Sequence, residues 1–246
     1  MPESIYLFCV LLFVVAFLYA SVGHGGASGY LALMAIFAIS PAIMKPTALL
    51  LNLFVSSTSF IQFYRGKHFN WKIFLPFAIT SVPMAFVGGM ISVDDYVYKK
   101  ILGLLLIIPI VRFLFFGNIK VEEIKKPNFL LSLIIGAAIG FLSGLIGIGG
   151  GIILSPVLLL LKWADIKKTA AISAIFIFVN SLSGLAGQLQ KGINFSPDMY
   201  TYVVIAFVGG ICGAYFGSLK LNQIFLKYLL AIVLIIASYK LLFTSA

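Results

Sequence analysis

Charged side chains are scarce in this chain: they make up 10% of its 246 residues, whereas a soluble domain carries about a quarter. This deficit excludes an ordinary soluble enzyme and a disordered chain. Cysteine is also scarce, since only Cys9 and Cys212 occur and both lie inside apolar runs. That scarcity excludes a disulfide-stapled secreted module, and we expect neither a disulfide nor a metal pair from these two residues.

Acidic residues are few, and they avoid the apolar runs. No buried carboxylate is expected to hold a cation or relay protons, which argues against a cation as substrate. The chain also lacks a nucleophile elbow, an HExxH motif, a P-loop and any His/Asp/Glu/Cys cluster, so we predict no enzyme, no metal and no cofactor. The Asp and Glu residues, all in or beside predicted loops, are Glu3, Asp94, Asp95, Glu122, Glu123, Asp165 and Asp198.

Long apolar runs are what the sequence does contain. Hydrophobic residues make up 62% of the chain, and runs of roughly 20 residues can cross a hydrocarbon core of about 30 Å as helices. We therefore predict an all-α, polytopic integral membrane bundle with about eight membrane segments. The apolar segments are expected at 4–22, 27–39, 46–64, 73–92, 98–116, 129–146, 152–162, 169–189, 199–218 and 223–243.

The sequence repeats itself, which divides it into a first membrane repeat at 1–116, a linker at 117–128 and a second membrane repeat at 129–246. Five pairs of motifs occur in the same order in both halves, and internal repeats of this size are typical of transporters. The pairs are Gly23-His24-Gly25-Gly26 with Gly147-Ile148-Gly149-Gly150, Thr47-Ala48 with Thr169-Ala170, the set Gln62, Arg65 and Gly66 with the set Gln188, Lys191 and Gly192, Val87-Gly88-Gly89 with Val208-Gly209-Gly210, and Arg112-Phe113-Leu114-Phe115 with Lys240-Leu241-Leu242-Phe243.

The first apolar run of each repeat is broken by a glycine-rich motif, and the piece after the first break, 27–39, would be only about 20 Å long as a helix. Either the run is one broken crossing, which gives parallel repeats, or it is a hairpin, which gives inverted repeats. Hairpins place twelve of the 17 Lys and Arg residues on one side, whereas broken crossings split them eight against nine. Because basic residues accumulate in cytoplasmic loops, we favour inverted repeats with both termini outside and the 65–72 loop and the linker in the cytoplasm.

The two glycine breaks are the first candidates for a binding site. Glycine clusters allow a tight reversal, and the helix that restarts after each break offers free N–H groups and the positive end of its dipole to an anion. Close helix packing through small residues is the alternative, and we assign that role to Gly88-Gly89 and Gly209-Gly210. The predicted binding residues in the breaks are Gly23, His24, Gly25, Gly26, Gly147, Gly149, Gly150 and Gly151.

His24 is interpreted as the only ionisable side chain placed well inside an apolar region, where it could donate to an anion or relay a proton. A neutral histidine that caps a broken helix is the alternative, and Ile148 takes its place in the second repeat. Neutral polar side chains on corresponding helices are expected to complete the site, since amides and hydroxyls hydrogen-bond anion oxygens; interhelical hydrogen bonding is their alternative role. They are Asn52, Ser56, Ser57, Thr58, Ser59 and Gln62 in the first repeat and Ser173, Asn180, Ser181, Ser183 and Gln188 in the second.

The motif Ala20-Ser21-Val22-Gly23-His24-Gly25-Gly26, with Gly144-Leu145-Ile146-Gly147-Ile148-Gly149-Gly150-Gly151 and the following Ser155-Pro156, resembles the sulfite exporter TauE/SafE family, also called the toluenesulfonate uptake permease family. The resemblance covers essentially the whole chain, including its layout in two halves. It implies carriage of small sulfur-containing or organic anions such as sulfite, organosulfonates or sulfoacetate.

We therefore expect a secondary transporter of a small anion in the cytoplasmic (inner) membrane, which works by alternating access and draws on an ion gradient or on the gradient of its substrate. A channel for small anions or neutral solutes is the alternative, and an assembly subunit is a further one. The expected partners are the anionic substrate and the lipid bilayer, while a coupling proton or Na⁺ and a homo-oligomer stay open. Basic loops orient the chain in the membrane, so its net charge of +10 predicts no nucleic-acid partner.

Overall fold

A computed structural model describes residues 2–21, 26–115, 123–193, 197–217 and 223–243. These residues form helices and turns without any strand, which confirms the predicted all-α class. In chain order the helices of the described part are α1 (Pro2–Ser21), α2 (Ala27–Ile36), α3 (Pro41–Arg65), α4 (Trp71–Met90), α5 (Asp95–Phe115), α6 (Phe129–Ile146), α7 (Gly151–Leu160), α8 (Ile166–Leu189), α9 (Pro197–Gly217) and α10 (Gln223–Phe243).

Within the described ranges, four helices are long and apolar enough to cross a membrane by length and composition: α3, α4, α6 and α8. Shorter apolar helical stretches cover Ile5–Ser21, Pro197–Gly213 and Tyr228–Phe243. Helices α2 and α7 have 10 residues each, which corresponds to about 15 Å, or half of the hydrocarbon thickness. The chain is therefore a polytopic helical membrane protein in which two short helices cannot cross by themselves.

Side-chain caps explain where three of the long helices begin. The side chain of Asn70 accepts a hydrogen bond from the backbone N–H of Lys72 at the start of α4. Asn128 does the same for α6 through the N–H of Leu131, and Asp165 does so for α8 through the N–H of Lys168. Such caps satisfy backbone donors that have no partner within the helix. Polar residues in the loops thus fix the helix starts.

Helices α1 and α2 form an antiparallel hairpin. Near the break, the hydroxyls of Tyr19 and Ser28 lie 2.8 Å apart. At the other end of the pair, the rings of Phe8 and Phe37 pack edge to face with their centroids 5.3 Å apart. Residues that follow the break therefore return along α1 toward its start. The hairpin alternative of the sequence analysis is the one that the structure adopts.

Helices α6 and α7 form a second hairpin in the same way. The backbone N–H of Lys125, just before α6, donates to the carbonyl of Lys162, just after α7, at 2.8 Å. Close to the break, a Cβ on Gly150 would lie 2.8 Å from Cγ2 of Ile139 in α6. The start of α6 and the end of α7 are thus neighbours, so both glycine-broken runs return to the side from which they came.

The remaining helices connect two ends of the bundle, which we call the linker end and the far end. The linker end holds the end of α3, the end of α5 and the starts of α6 and α8. The far end holds the start of α3 and the end of α8, because Lys45 and Lys191 donate to Ile91 and Ser92 of the same loop. Lys240 of α10 donates to the carbonyl of Ile36 there as well. Helices α3 and α8 therefore run antiparallel.

The contact between α4 and α6 has a counterpart in the contact between α9 and α1, and matched glycines lie in both contacts. Gly88 in α4 faces the backbone carbonyl of Phe141 in α6. Its counterpart Gly209 in α9 faces the backbone carbonyl of Phe13 in α1, where a Cβ would lie 2.7 Å from that oxygen. Small residues at such crossings let helix backbones approach closely. These matched contacts and the antiparallel α3 and α8 favour inverted repeats, and the inverted relation of the halves stays a prediction.

Candidate functional site

The two short helices begin in the same unusual way. Gly26 precedes α2 and Gly150 precedes α7, each with a φ of 75° and without a side-chain cap. This left-handed conformation favours glycine, because a Cβ would strain it. The first N–H groups of a helix have no partner inside it, and they carry the positive end of its dipole. Both breaks therefore present positive helix starts, as the glycine motifs predict.

One cavity, of about 140 Å³, lies between the two helix starts; we call it the linker-end cavity. Its volume exceeds the roughly 10–15 Å³ that a single water requires. Residues of both breaks line it, together with residues near the end of α3, the end of α5 and the start of α8. They are Gly26, Ala27, Ser59, Phe63, Arg112, Ile148, Gly151, Ile152, Ser155, Ile166, Lys167, Ala170, Ser173, Ala174 and Ile177.

Two basic residues and no carboxylate are among the lining residues of this cavity. Nη1 of Arg112 is fully buried and has no hydrogen-bond partner among the described residues. The side chain of Lys167 is exposed, at the linker end where α8 starts. A buried cationic nitrogen without a hydrogen-bond partner favours an anion, since burying an unpaired charge is costly. The cavity thus combines two helix starts with two positive side chains.

Sequence reasoning missed Arg112 and Lys167 as binding residues, because it used both as topology signals and Arg112 otherwise only as part of a repeat motif. Arg112 did carry a signal, since it interrupts the apolar run 98–116, and an ionisable residue inside such a run is by default a functional candidate. Ser173, one of the polar residues expected to line the site, lies in the wall of the cavity with its hydroxyl 2.8 Å from that of Ser155, which was missed. Single serines in apolar helices give no comparable signal.

Several predicted residues meet in a buried polar layer beside the cavity. Nδ2 of Asn52 lies 3.2 Å from Oγ of Ser181. A Cβ on Gly149 would lie 2.7 Å from that Nδ2 atom and 2.9 Å from Cγ2 of Ile177, which lines the cavity. The structure therefore brings Gly149, Asn52 and Ser181 together, one residue away from the cavity.

The layer also contains polar atoms with unmet hydrogen-bonding capacity. Ser56 and Asn180 are fully buried. Oγ of Ser56 and the Oδ1 atoms of Asn52 and Asn180 find no partner within the described part of the chain. Nδ2 of Asn180 donates to the carbonyl of Phe176, 2.8 Å away. Unpaired buried polar groups cost about 1–3 kcal/mol each, so this layer is where water or a ligand would be stabilising.

The two predicted glutamines do not meet. Gln62 is exposed near the end of α3, at the linker end. Gln188 is buried at the far end, where it lines a different cavity. Gly147 ends α6 with a φ of 89°, and a Cβ there would lie 2.9 Å from the carbonyl oxygen of Lys45. Gly23, His24 and Gly25 lie outside the described residues.

Comparisons with known proteins agree on a family. The family described as Sulfite exporter TauE/SafE matches residues 8–241. A probable membrane transporter protein of Sinorhizobium fredii is 37% identical over 95% of this chain and 96% of its own length. A probable membrane transporter protein of Methanocaldococcus jannaschii is 31% identical over 72% of this chain and 68% of its own length. Sulfite exporter TauE/SafE family protein 1 of Arabidopsis thaliana is 27% identical over 46% of this chain and 24% of its own. No solved structure matches.

Proposed function

This chain belongs to the sulfite exporter TauE/SafE family of membrane transporters, and we propose that it is a secondary carrier of a small oxyanion such as sulfite or a sulfonate. The observation that carries the proposal is the linker-end cavity, where the starts of α2 and α7 meet Arg112 and Lys167. Anionic oxygens and positive helix starts attract each other, and discontinuous helices of this kind hold anions in other transporters.

The substrate would be held by three kinds of donor. Backbone N–H groups at the starts of α2 and α7 point toward the cavity as the open ends of their helices. The guanidinium of Arg112 offers two parallel N–H groups, which fit two oxygens of one sulfite or sulfonate group. Lys167 stands at the exposed edge and attracts the anion on entry. The lining contains no carboxylate that would repel it.

A carrier fits the arrangement of the glycine break better than a channel does. Ile148 and Gly151 line the linker-end cavity, while Gly147 packs against Lys45, which lines a second cavity at the far end. The break between Gly147 and Gly151 therefore lies between the two cavities. Movement of this break, together with the polar layer of Asn52 and Ser181, would pass the substrate from one cavity to the other.

We place the linker end in the cytoplasm of a cell membrane, with both termini outside, because the hairpin topology assigns twelve of the 17 Lys and Arg residues to that side. The linker-end cavity would then accept substrate from the inside. Energy comes from an ion gradient or from the substrate gradient. His24, in the first glycine motif, remains our candidate for a proton relay if the coupling ion is H⁺.

The test is transport by purified protein in liposomes. We expect saturable uptake of ³⁵S-sulfite that Arg112→Gln reduces at least tenfold, since the variant loses the buried charge. Arg65→Gln is the matched control, because Arg65 is exposed at the same end and does not line the cavity. Equal loss in both variants would remove Arg112 from the site. Uptake without saturation or counter-transport would show that the protein is a channel and not a carrier.

A further inference from the structure

A second cavity lies at the far end, between the start of α3, the loop after α4 and the end of α8; we call it the far-end cavity. Its volume is about 280 Å³. The side chains that could interact with a polar ligand in it are Lys45, Ser92, Asp95, Tyr98, Gln188 and Lys191. None of these residues lines the linker-end cavity.

Gln188 supplies the far-end cavity with a buried hydrogen-bond donor. Its side chain is only 3% exposed, and its Nε2 atom has no hydrogen-bond partner among the residues described. An amide nitrogen carries two N–H donors, and leaving them unpaired in a buried place is costly. Since Gln188 lines the cavity, an acceptor bound there would satisfy it.

Lys45 and Lys191 each use only one ammonium N–H group in a hydrogen bond among the described residues. Nζ of Lys45 makes one long contact of 3.4 Å with the carbonyl oxygen of Ile91, although an ammonium carries three donors. Nζ of Lys191 donates to Oγ of Ser92 at 2.6 Å. The hydroxyl of Tyr98 is already used, because it donates to the carbonyl of Ile146 at 2.7 Å.

The charge in the far-end cavity is positive on balance, with two lysines against one carboxylate, Asp95. Among the described residues, no ion pair within 4.0 Å joins Asp95 to Lys45 or Lys191. Asp95 is exposed at the start of α5, where a carboxylate is stabilised by the positive end of the helix. Asp95 therefore neutralises neither lysine through an ion pair.

The two cavities are related through the sequence repeat. Lys45 precedes Thr47 by two residues, and Lys167 precedes the matched Thr169 by two residues. One of these lysines lines the far-end cavity and the other lines the linker-end cavity. Because α3 and α8 run antiparallel, equivalent residues of the two repeats stand at opposite ends of the bundle.

We propose that the far-end cavity is a second anion site, in which Lys45 and Gln188 hold the substrate oxyanion at the opposite entrance. The identity of this anion rests on the proposed function, whereas the site itself rests on the donors of the far-end cavity. The two sites would load from opposite ends of the bundle. A purified chain should therefore bind two anions.

The experiment is equilibrium dialysis of the full-length protein in detergent against ³⁵S-sulfite. We expect close to two sulfite ions per chain for the unmodified protein. The double variant Lys45→Met and Gln188→Leu should bind one, since it removes the far-end donors at similar side-chain volume. Arg112→Gln should also bind one, which is the far-end ion. Lys99→Met is the matched control, because Lys99 lies near the start of α5 at the same end without lining the cavity.

Each stoichiometry separates the two proposals. A single ion that Arg112→Gln removes would overturn the far-end site and leave the proposed function standing. A single ion that only the far-end variant removes would overturn the linker-end site instead, and no bound sulfite would overturn both. If the double variant does not fold, Gln188→Glu takes its place, since a carboxylate there should repel the anion and also leave one ion bound.

Discussion

Nδ2 of Asn52 in α3 lies 3.2 Å from Oγ of Ser181 in α8, and this contact joins the two halves of the chain at the middle of the bundle. Both side chains are fully buried. Gly149, in the second glycine break, packs directly against them. The contact therefore links the break to the two helices that run between the cavities.

Gly149 is the position where a small change should have the largest effect on anion binding. A methyl group there would lie 2.7 Å from Nδ2 of Asn52, and the φ of 75° disfavours any side chain. We expect Gly149→Ala to displace the break and to abolish the rise in melting temperature that sulfite produces in the unmodified protein. The measurement is thermal unfolding in detergent with and without sulfite.

Gly192 provides the control for this variant. Its φ of 74° is nearly the same as that of Gly149, but nothing lies within 4 Å of a Cβ placed on it. Gly192→Ala should therefore cost about 1–2 kcal/mol of backbone strain and keep the full sulfite shift. Loss of the shift in both variants would attribute the effect to strain, and retention in both would make the Gly149 break a packing device only.

Much of the fold could be predicted from the sequence, because helices in a membrane are set by runs of apolar residues and by their interruptions. The ends of these runs were less predictable. The segment expected at 27–39 ends at Ile36 as α2, since Ala38 takes a left-handed turn with a φ of 54°. The next helix begins at Pro41 rather than near residue 46, because proline is well accommodated in the first helical turn.

The site was predicted only in part, for a geometric reason. Helices α3 and α8 run antiparallel, so residues near the two helix middles meet, whereas matched residues toward the helix ends lie far apart. Asn52 and Ser181 thus come together, whereas Gln62 and Gln188 stand at opposite ends of the bundle. Arg112 was missed because a single chain does not reveal whether a basic residue near a helix end points to water or to a cavity.

Asp165, at the start of α8, should make a pH-dependent contribution to the free energy of unfolding. Asp165 accepts from the N–H of Lys168 at 2.8 Å and pairs with its ammonium at 3.3 Å. Burial raises the pKa of this carboxyl, but the hydrogen bonds and the charge of Lys168 outweigh that effect and lower the pKa below its usual 3.8. Because the pKa of Asp165 is lower in the folded protein, its ionised carboxylate stabilises the folded state at pH values above the usual pKa. This stabilisation is lost as the pH falls through the lowered pKa.

Asp165→Ala should therefore lower the free energy of unfolding by about 0.5–1 kcal/mol at neutral pH, at the low end for an N-cap because the side chain is 40% exposed. Asp165→Asn keeps the cap and loses only the charge, so it should cost less. Denaturant titration at pH 7 and at pH 3.5 is the measurement. The difference in stability between the unmodified protein and the Asp165→Asn variant should narrow at the lower pH, and a constant difference would contradict the role of the charge.

Membrane orientation is the third expectation. Because the linker end collects most of the basic residues, reporter fusions after Lys67 and after Lys125 should both read as cytoplasmic. Fusions after Ser92 and after Lys191 should read as external, since both residues lie at the far end. Opposite readings for the fusions after Lys67 and Lys125 are incompatible with two hairpins. If all four fusions read on the opposite side, the topology would stand and only its orientation in the membrane would be reversed.

Two adjacent glycines of α9 give the sharpest test of helix packing. A Cβ on Gly209 would lie 2.7 Å from the carbonyl oxygen of Phe13 in α1, while a Cβ on Gly210 would meet only Cγ2 of Val55 at 3.7 Å, an ordinary contact. Gly209→Ala should therefore separate α9 from α1 and lower the melting temperature. Gly210→Ala should be neutral or stabilising, because alanine favours a helix over glycine by about 1 kcal/mol. The sequence alone assigned both glycines to packing, and only the contacts of the folded chain distinguish them. Equal destabilisation by the two variants in detergent would mean that α9 meets α1 on a different face.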